Sequence, residues 1–188
     1  MKNLRNIFQA FHNVFSSILI AAIIAVILRI FFISVFYIPS SSMEKILKIG
    51  DYVMVWKFLY DKKIPVINTK LPFGFRIKRG DVVVFIPVNN PHEYYIKRCI
   101  GLEGEKIMFY RNDVYINDVK LEEPYVKDKP LITYHQRELD VPRGHIFVMG
   151  DNRLTSSDSR DWGSVSTDHV TGKALFVFFP FNRIRIIK

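Results

Sequence analysis

Residues 94–116, YYIKRCIGLEGEKIMFYRNDVYI, contain three short segments that are rich in β-branched and aromatic side chains. The segments are Tyr94–Ile100, Lys106–Tyr110 and Val114–Ile116. Short runs of this composition, bounded by residues that favour turns, are typical of β-strands. Asn112-Asp113 is predicted to form the turn of a hairpin between the second and third segments. The stretch therefore predicts consecutive antiparallel strands.

The same pattern continues on both sides of this stretch. Further strand-like segments lie at 51–57, 81–86, 145–149 and 173–179. Prolines punctuate the connections, and no amphipathic helix is evident after residue 40. We therefore predict a mainly β, antiparallel domain over residues 34–188, with a small β insertion at about 103–143.

The composition limits the classes of protein that the chain can represent. Its 188 residues are 49% hydrophobic and 24% charged, which argues for a packed core and against disorder. The net charge of +9 suits either a nucleic acid or an anionic membrane surface. No concentrated basic helix or zinc-type spacing supports nucleic acid. A lone cysteine, Cys99, excludes an internal disulfide and a cysteine-based metal site, and no cofactor is expected.

The N-terminal part carries a strongly apolar run over residues 14–33, broken only by Ser16, Ser17 and Arg29. A helix of twenty residues spans about 30 Å, the thickness of a bilayer core. A cleaved signal peptide is the alternative, but the run is long and no small-x-small site follows it. We predict an uncleaved transmembrane anchor at 14–33. Because the charges before Glu44 are all basic, residues 1–13 are predicted to be cytoplasmic and residues 34–188 extracytoplasmic.

Three segments carry residues suited to catalysis, and each is ambiguous alone. A serine cluster after a proline, as at 39–43, is most often a turn. Lys97 shares a strand face with Tyr95 and Cys99, where burial would lower its pKa and let the neutral amine accept a serine proton. A lysine at a strand edge with its amine in water is the alternative. The loop at 150–163 is dense in turn formers, and within it Asp158 and Arg160 can form a charge-assisted pair.

Taken together, these segments resemble bacterial type I signal peptidase, also called leader peptidase, a serine protease that uses a Ser-Lys pair. The resemblance rests on four motifs in order behind an N-terminal anchor. These are Pro39-Ser40-Ser41-Ser42-Met43; Gly50-Asp51-Tyr52; Arg79–Phe85 with Tyr95-Ile96-Lys97-Arg98 and Ile100-Gly101-Leu102; and Gly150-Asp151-Asn152-Arg153 with Ser156, Asp158-Ser159-Arg160 and Trp162-Gly163.

The resemblance implies roles for a catalytic pair and for the residues that support it. Ser42 would attack the scissile carbonyl, and Lys97 would act as the general base. Ser156 would orient the lysine amine, while the Ser42 backbone N–H and the Ser40 hydroxyl would form the oxyanion hole. Asp158 and Arg160 match the structural pair of the family. Phe36, Ile38 and Ile96 fall where the family builds shallow apolar pockets for small substrate side chains.

The resemblance also implies the substrate and the location. The enzyme would remove signal peptides from exported preproteins after small-x-small sequences, at the outer face of the cytoplasmic membrane. Glu44-Lys45-Ile46 depart from the family pattern, in which one residue and then Pro-Thr follow Ser-Met. Glu44 would either alter the leaving-group side of the cleft or point to water with Lys45. Ser41 stands where the family usually has glycine.

Two other functions fit parts of the sequence. A self-cleaving repressor-type peptidase also uses a Ser-Lys pair on a β-fold, but it calls for a DNA-binding domain where this chain has its apolar run. A catalytically silent, membrane-anchored β-module is the other alternative. Such a module would have no need to retain Ser42, Lys97 and Ser156 together.

Overall fold

A computed structural model describes residues 2–57, 76–126 and 134–187. Within these ranges the chain forms two units, one up to Ser34 and one from Val35 onward. The first unit is a single long helix, α1 (Lys2–Phe31), followed by the beginning of strand β1 (Ile33–Tyr37). Among the helices whose residues the structure describes, none is long and apolar enough to be assigned as a membrane crossing.

The second unit is built from two antiparallel sheets, as the strand pattern predicts. Its remaining elements are β2 (Tyr52–Trp56), β3 (Val82–Phe85), β4 (Tyr95–Gly101), β5 (Lys106–Arg111), β6 (Asp113–Ile116), β7 (Val119–Lys120), β8 (Tyr134–Asp140), β9 (His145–Met149), α2 (Ser159–Trp162), β10 (Val165–Ser166), β11 (Val170–Phe179) and β12 (Arg185–Ile186). The larger sheet has the order β1-β2-β11-β3-β4-β9-β10, with β12 paired to β11. The smaller sheet has the order β7-β6-β5-β8 and lies within the interval predicted as an insertion.

Three apolar clusters form the core of the second unit. One includes Ile38, Met43 and Leu47 and therefore lies directly beneath the serine motif. The second contains Val83, Phe85 and Val148 of the larger sheet. The third joins Ile100, Phe147 and Met149 of the larger sheet to the buried residues of the smaller one. The smaller sheet is thus held to β4 and β9 by a shared apolar core, and this position determines its contacts with the serine motif.

One local prediction is corrected by the structure. Tyr110 pairs with Asp113, so the hairpin turn consists of Arg111 and Asn112, and Arg111 takes the φ of 54° that this tight turn requires. The short helix α2 lies in the loop at 150–163. Its four residues are too few to show an amphipathic period, and a capping box between Asp158 and Asp161 defines its start.

Candidate active site

Ser42 and Lys97, which are 55 positions apart in the sequence, meet in a direct hydrogen bond. Lys97 lies in the middle of β4, where Val83 of β3 pairs with it. Its Nζ donates to Ser42 Oγ over 2.7 Å. Lys97 is only 5% exposed and Ser42 only 7% exposed. The structure therefore places a serine hydroxyl and a lysine amine together in a site from which bulk water is largely excluded.

Burial changes the acid–base properties of Lys97. The pKa of its amine is lowered to about 8, chiefly because burial penalises the charged form. The carboxylates of Asp158 and Asp151 act in the opposite direction, and the charge of Arg160 lowers the pKa further. At pH 7 about a tenth of the amine is therefore uncharged and able to accept a proton, far more than for a lysine in water.

The loop after β9 donates hydrogen bonds to two carbonyls of the serine motif. The backbone N–H of Asn152 donates to the Ser42 carbonyl over 3.0 Å, and its side-chain amide donates to the Ser41 carbonyl over 3.2 Å. Gly150 passes so close that an added Cβ would lie 2.5 Å from the Ser42 carbonyl oxygen and would overlap Ser156. Glycine is required here because the two backbones approach closely.

The two supporting serines are placed differently. Ser40 Oγ lies 3.4 Å from Ser42 Oγ, on the same side of the motif. Ser156 lies beside Gly150, and its buried hydroxyl has no hydrogen-bond partner among the described residues. The expected hydrogen bond from Ser156 to Lys97 is therefore not formed, since the amine points at Ser42. A role for Ser156 in orienting the lysine stays a prediction.

Asp158 and Arg160 form the expected pair, with Arg160 Nε 2.7 Å from Asp158 Oδ1 and Nη2 2.9 Å from Oδ2. Asp158 is fully buried, caps α2 and accepts the Gly150 backbone N–H over 2.9 Å. Arg160 also donates to the carbonyls of Arg153 and Ser156. The pair therefore ties the whole loop to the residue that supports Ser42.

A cleft of about 510 Å³ opens beside the Ser42–Lys97 contact. The predicted pocket residues Phe36, Ile38 and Ile96 all line it, together with the serine motif and Lys97. Glu93, Tyr94, Tyr95, Val84, Thr155 and Ser157 also line it and were not predicted. Tyr94, whose ring centroid lies 4.9 Å from that of Phe36, was detectable from strand alternation because it lies two positions before Ile96.

Two buried ion pairs beneath the site were also missed. Arg98 and Asp151, 1% and 0% exposed, form a bidentate pair at 2.8 and 2.7 Å. Arg153 pairs with Glu123, which comes from the segment after β7. A charged residue inside a predicted strand, Arg98, indicates that a buried partner is needed. The partner lies 53 positions away, and sequence spacing does not identify it.

The residues after Ser42 are not simply solvated. The Lys45 side chain is exposed, as one interpretation of the sequence had it, but its amine does not contact water alone. It donates to the carbonyls of Pro124 and Val126, because the smaller sheet brings these acceptors within reach. Ile46 packs against the first core cluster, and Arg185 donates to its carbonyl over 2.9 Å. Among the described residues, no group of three or more His, Cys, Asp or Glu side chains is arranged to hold a metal ion.

An antiparallel β-fold in which a buried amine contacts a serine hydroxyl beside an apolar cleft defines the class of a serine hydrolase. A family model described as signal peptidase, peptidase S26, matches residues 11–179. The chain belongs to this family and is a serine endopeptidase of the signal peptidase type.

Relatives of the same kind match most of the chain. Signal peptidase I U of Bacillus subtilis is 39% identical, over 93% of this chain and 90% of its own length. Probable signal peptidase I-2 of Synechocystis is 35% identical, over 89% of this chain and 72% of its own. A crystal structure of a signal peptidase I from Enterococcus faecalis, 33% identical, covers 53% of this chain and 97% of its own, with a TM-score of 0.46.

Proposed function

We propose that this protein is a membrane-bound endopeptidase that removes N-terminal signal peptides from exported preproteins by a Ser42–Lys97 pair. The observation that carries the proposal is the 2.7 Å hydrogen bond between a buried, pKa-lowered amine and a serine hydroxyl. A lysine in water is protonated at neutral pH and cannot serve as a base, whereas burial makes the neutral form accessible.

The proposed reaction uses these groups in two steps, acylation of Ser42 and hydrolysis of the ester. Ser42 Oγ attacks the scissile carbonyl carbon while its proton passes to the Lys97 amine. The negative charge on the tetrahedral intermediate is stabilised by the Ser42 backbone N–H and the Ser40 hydroxyl, each worth roughly 3 kcal/mol by analogy with other oxyanion donors. The intermediate collapses as Lys97 returns the proton to the leaving amine. Water, deprotonated by Lys97, then hydrolyses the ester on Ser42 and releases the signal peptide.

Substrate selection is assigned to the cleft. Phe36, Ile38 and Ile96 line its apolar part next to the nucleophile. Pockets partly filled by these side chains and by Tyr94 suit small side chains at the first and third positions before the cut. Bulky residues at those positions would hold the scissile carbonyl away from Ser42.

The proposed membrane anchor is the apolar run at 14–33. Ile18, Leu19 and Ile20 point in three directions around α1 and are 63%, 51% and 58% exposed. An apolar surface on all sides of a helix is typical of a membrane span. Ser42 follows Ile33 by only nine positions, so the nucleophile would act near the membrane surface, where the signal helix of a substrate ends. Confinement of both partners to one bilayer raises their effective concentration.

The test uses the full-length protein in lipid vesicles with a preprotein that carries a small-x-small site. We expect wild type to cut directly after that site, as read from the N-terminus of the product. We also expect Ser42→Ala to leave the preprotein intact, and a bulky aromatic residue just before the cut to block processing. Cleavage by Ser42→Ala at the wild-type rate, or cutting at unrelated sites, would contradict the proposal.

A further inference from the structure

Lys45 makes a long-range contact that the proposed reaction does not use. Its backbone takes a φ of 121°, a conformation that residues other than glycine rarely adopt. Its Nζ donates to the carbonyl oxygens of Pro124 and of Val126, the latter at 3.4 Å. These acceptors lie 79 and 81 positions further along the chain, in the segment 123–126 between β7 and β8 of the smaller sheet.

The strained backbone at Lys45 is fixed by its surroundings. Met43 and Leu47, on either side of it, are fully buried in the first core cluster. The backbone N–H of Leu47 donates to the Met43 carbonyl over 2.9 Å and closes a turn around Lys45. A residue persists in such a region only where neighbouring contacts hold it, and strain of this kind concentrates at functional sites. At Lys45, the hydrogen bonds of its own side chain are among the contacts that hold the strained backbone.

The segment 123–126 is also tied to the catalytic serine from the opposite side. Glu123 forms its buried ion pair with Arg153, and Arg153 Nε donates to the Gly150 carbonyl over 3.0 Å. The neighbouring Asn152 donates to the carbonyl of Ser42. The contacts therefore form a closed ring that runs from Ser42 through Lys45 to the segment 123–126 and returns through Arg153 to Ser42.

We propose that Lys45 is a positioning residue that keeps Ser42 within hydrogen-bond distance of Lys97 by tying the serine motif to the carbonyls of segment 123–126. This inference rests on the proposed function. Lys45 occupies the position at which the family pattern has proline, whose φ near −65° is opposite in sign to the value found here. In this chain a side-chain tether to the smaller sheet takes over the role of a rigid backbone after the nucleophile.

The experiment compares four variants of the full-length protein in lipid vesicles. Lys45→Met removes the donor while keeping the length of the side chain, and Lys45→Gly removes the donor while relieving the backbone strain. Lys45→Arg keeps the charge and the donors. Lys48→Met is the matched control, since Lys48 lies three positions further on with an exposed side chain. The readouts are kcat, KM and the pH dependence of preprotein processing, with the folded fraction from circular dichroism.

We expect Lys45→Met and Lys45→Gly to lower kcat between about tenfold and a hundredfold, the cost of misplacing a reacting atom by up to an ångström. KM should stay within about twofold of wild type, because neither variant alters the cleft that binds substrate. The pH midpoint should not move, since Lys45 acts on geometry and not on the charge of Lys97. Lys45→Arg should keep most of the wild-type kcat, and Lys48→Met should have the kcat of wild type.

The positioning role would be overturned if both donor-free variants matched Lys48→Met in kcat. It would also be overturned if their lower activity were fully accounted for by a smaller folded fraction. Lys45→Gly is decisive here, since it relaxes the backbone and should not unfold the protein. A wild-type protein that leaves the preprotein intact would instead overturn the proposed function itself.

Discussion

Lys97 occupies a buried position at which a protonated amine destabilises the folded protein, and the same burial favours the neutral amine that the proposed reaction needs. It is 5% exposed, and burial lowers its pKa to about 8. The same burial that would make the amine a base in the proposed reaction destabilises the folded protein whenever the amine carries a proton. The proposed activity and the stability therefore oppose each other at this residue.

Replacement of Lys97 by Met should accordingly stabilise the protein while abolishing activity. The folded-state pKa is below the unfolded one, so the penalty is complete below about pH 8 and disappears as pH rises through about 10.5. The free energy of unfolding of Lys97→Met should exceed that of wild type by up to about 3 kcal/mol at pH 7. Denaturation in detergent at pH 7 and pH 10 measures this. A Lys97→Met protein that is less stable at pH 7 would contradict the assignment.

Gly150 is the second residue on which the site depends. A methyl group there would meet the Ser42 carbonyl and the Ser156 side chain. Gly150→Ala should therefore displace Ser42 and lower kcat by about a hundredfold. Gly104→Ala is the control, because its φ of 77° makes it strained but an added Cβ has open space. It should cost about 1 kcal/mol of stability and leave kcat unchanged. Equal kcat in the two variants would show that Gly150 has no special role.

Among the single residues of the site, the sequence predicts those that belong to a recurring motif. It does not predict those whose contacts arise only when the chain folds. Ser42 and Lys97 were ambiguous alone, and their assignment came from four motifs in order. The contact of Lys45 could not be predicted, because its acceptors are main-chain carbonyls, which every residue possesses. The partner of Arg98 was unpredictable for a related reason: the ladder between β4 and β9 places Asp151 beside it.

At the scale of elements, the loop from β9 to α2 carries charges that act on the pKa of Lys97 in addition to the larger effect of burial. Asp158 raises the pKa of Lys97, and Arg160 lowers it. Asp158→Asn should therefore move the midpoint of the activity–pH profile below that of wild type, and Arg160→Gln should move it above. Both variants should also lose stability, since each breaks the buried Asp158–Arg160 ion pair that ties the loop together. Shifts in the same direction for both variants would contradict this account.

The strands that the sequence predicts are those rich in β-branched and aromatic residues. Segments 94–100, 106–110 and 145–149 have this composition, and they correspond to β4, β5 and β9. The strand β8, whose sequence is YHQRELD, was not predicted. It is an outer strand of the smaller sheet, and its mostly polar sequence does not show alternating apolar residues. The strands β10 and β12 have two residues each, too few to show a period.

At the scale of the whole molecule, the mainly antiparallel β fold and the family were predictable from sequence, because strand patterns and ordered motifs are both visible there. The packing of the smaller sheet onto β4 and β9 was not, since it depends on the apolar faces of Ile100, Phe147 and Met149 meeting those of another sheet. That packing supplies Glu123 and the acceptors of Lys45 to the site.

The proposed anchor makes a prediction for the intact protein. Full-length protein in sealed vesicles should stay with the lipid at alkaline pH, and a variant that lacks residues 2–33 should be released. Processing of a preprotein embedded in the same vesicles should fall by at least tenfold in the truncated form. Processing of a short peptide in detergent should be unaffected, because the peptide gains nothing from shared confinement. Release of the full-length protein at alkaline pH would contradict the anchor.

The most direct test of the Ser42–Lys97 mechanism is kcat/KM for preprotein processing by wild type and Lys97→Met between pH 6 and pH 10. Wild-type kcat/KM should rise about tenfold per pH unit below its midpoint and level off above about pH 8, as the Lys97 amine becomes neutral. Lys97→Met should show no processing at any pH, although it is folded. Processing by Lys97→Met, or a wild-type profile without a midpoint near pH 8, would contradict the assignment of Lys97 as the base.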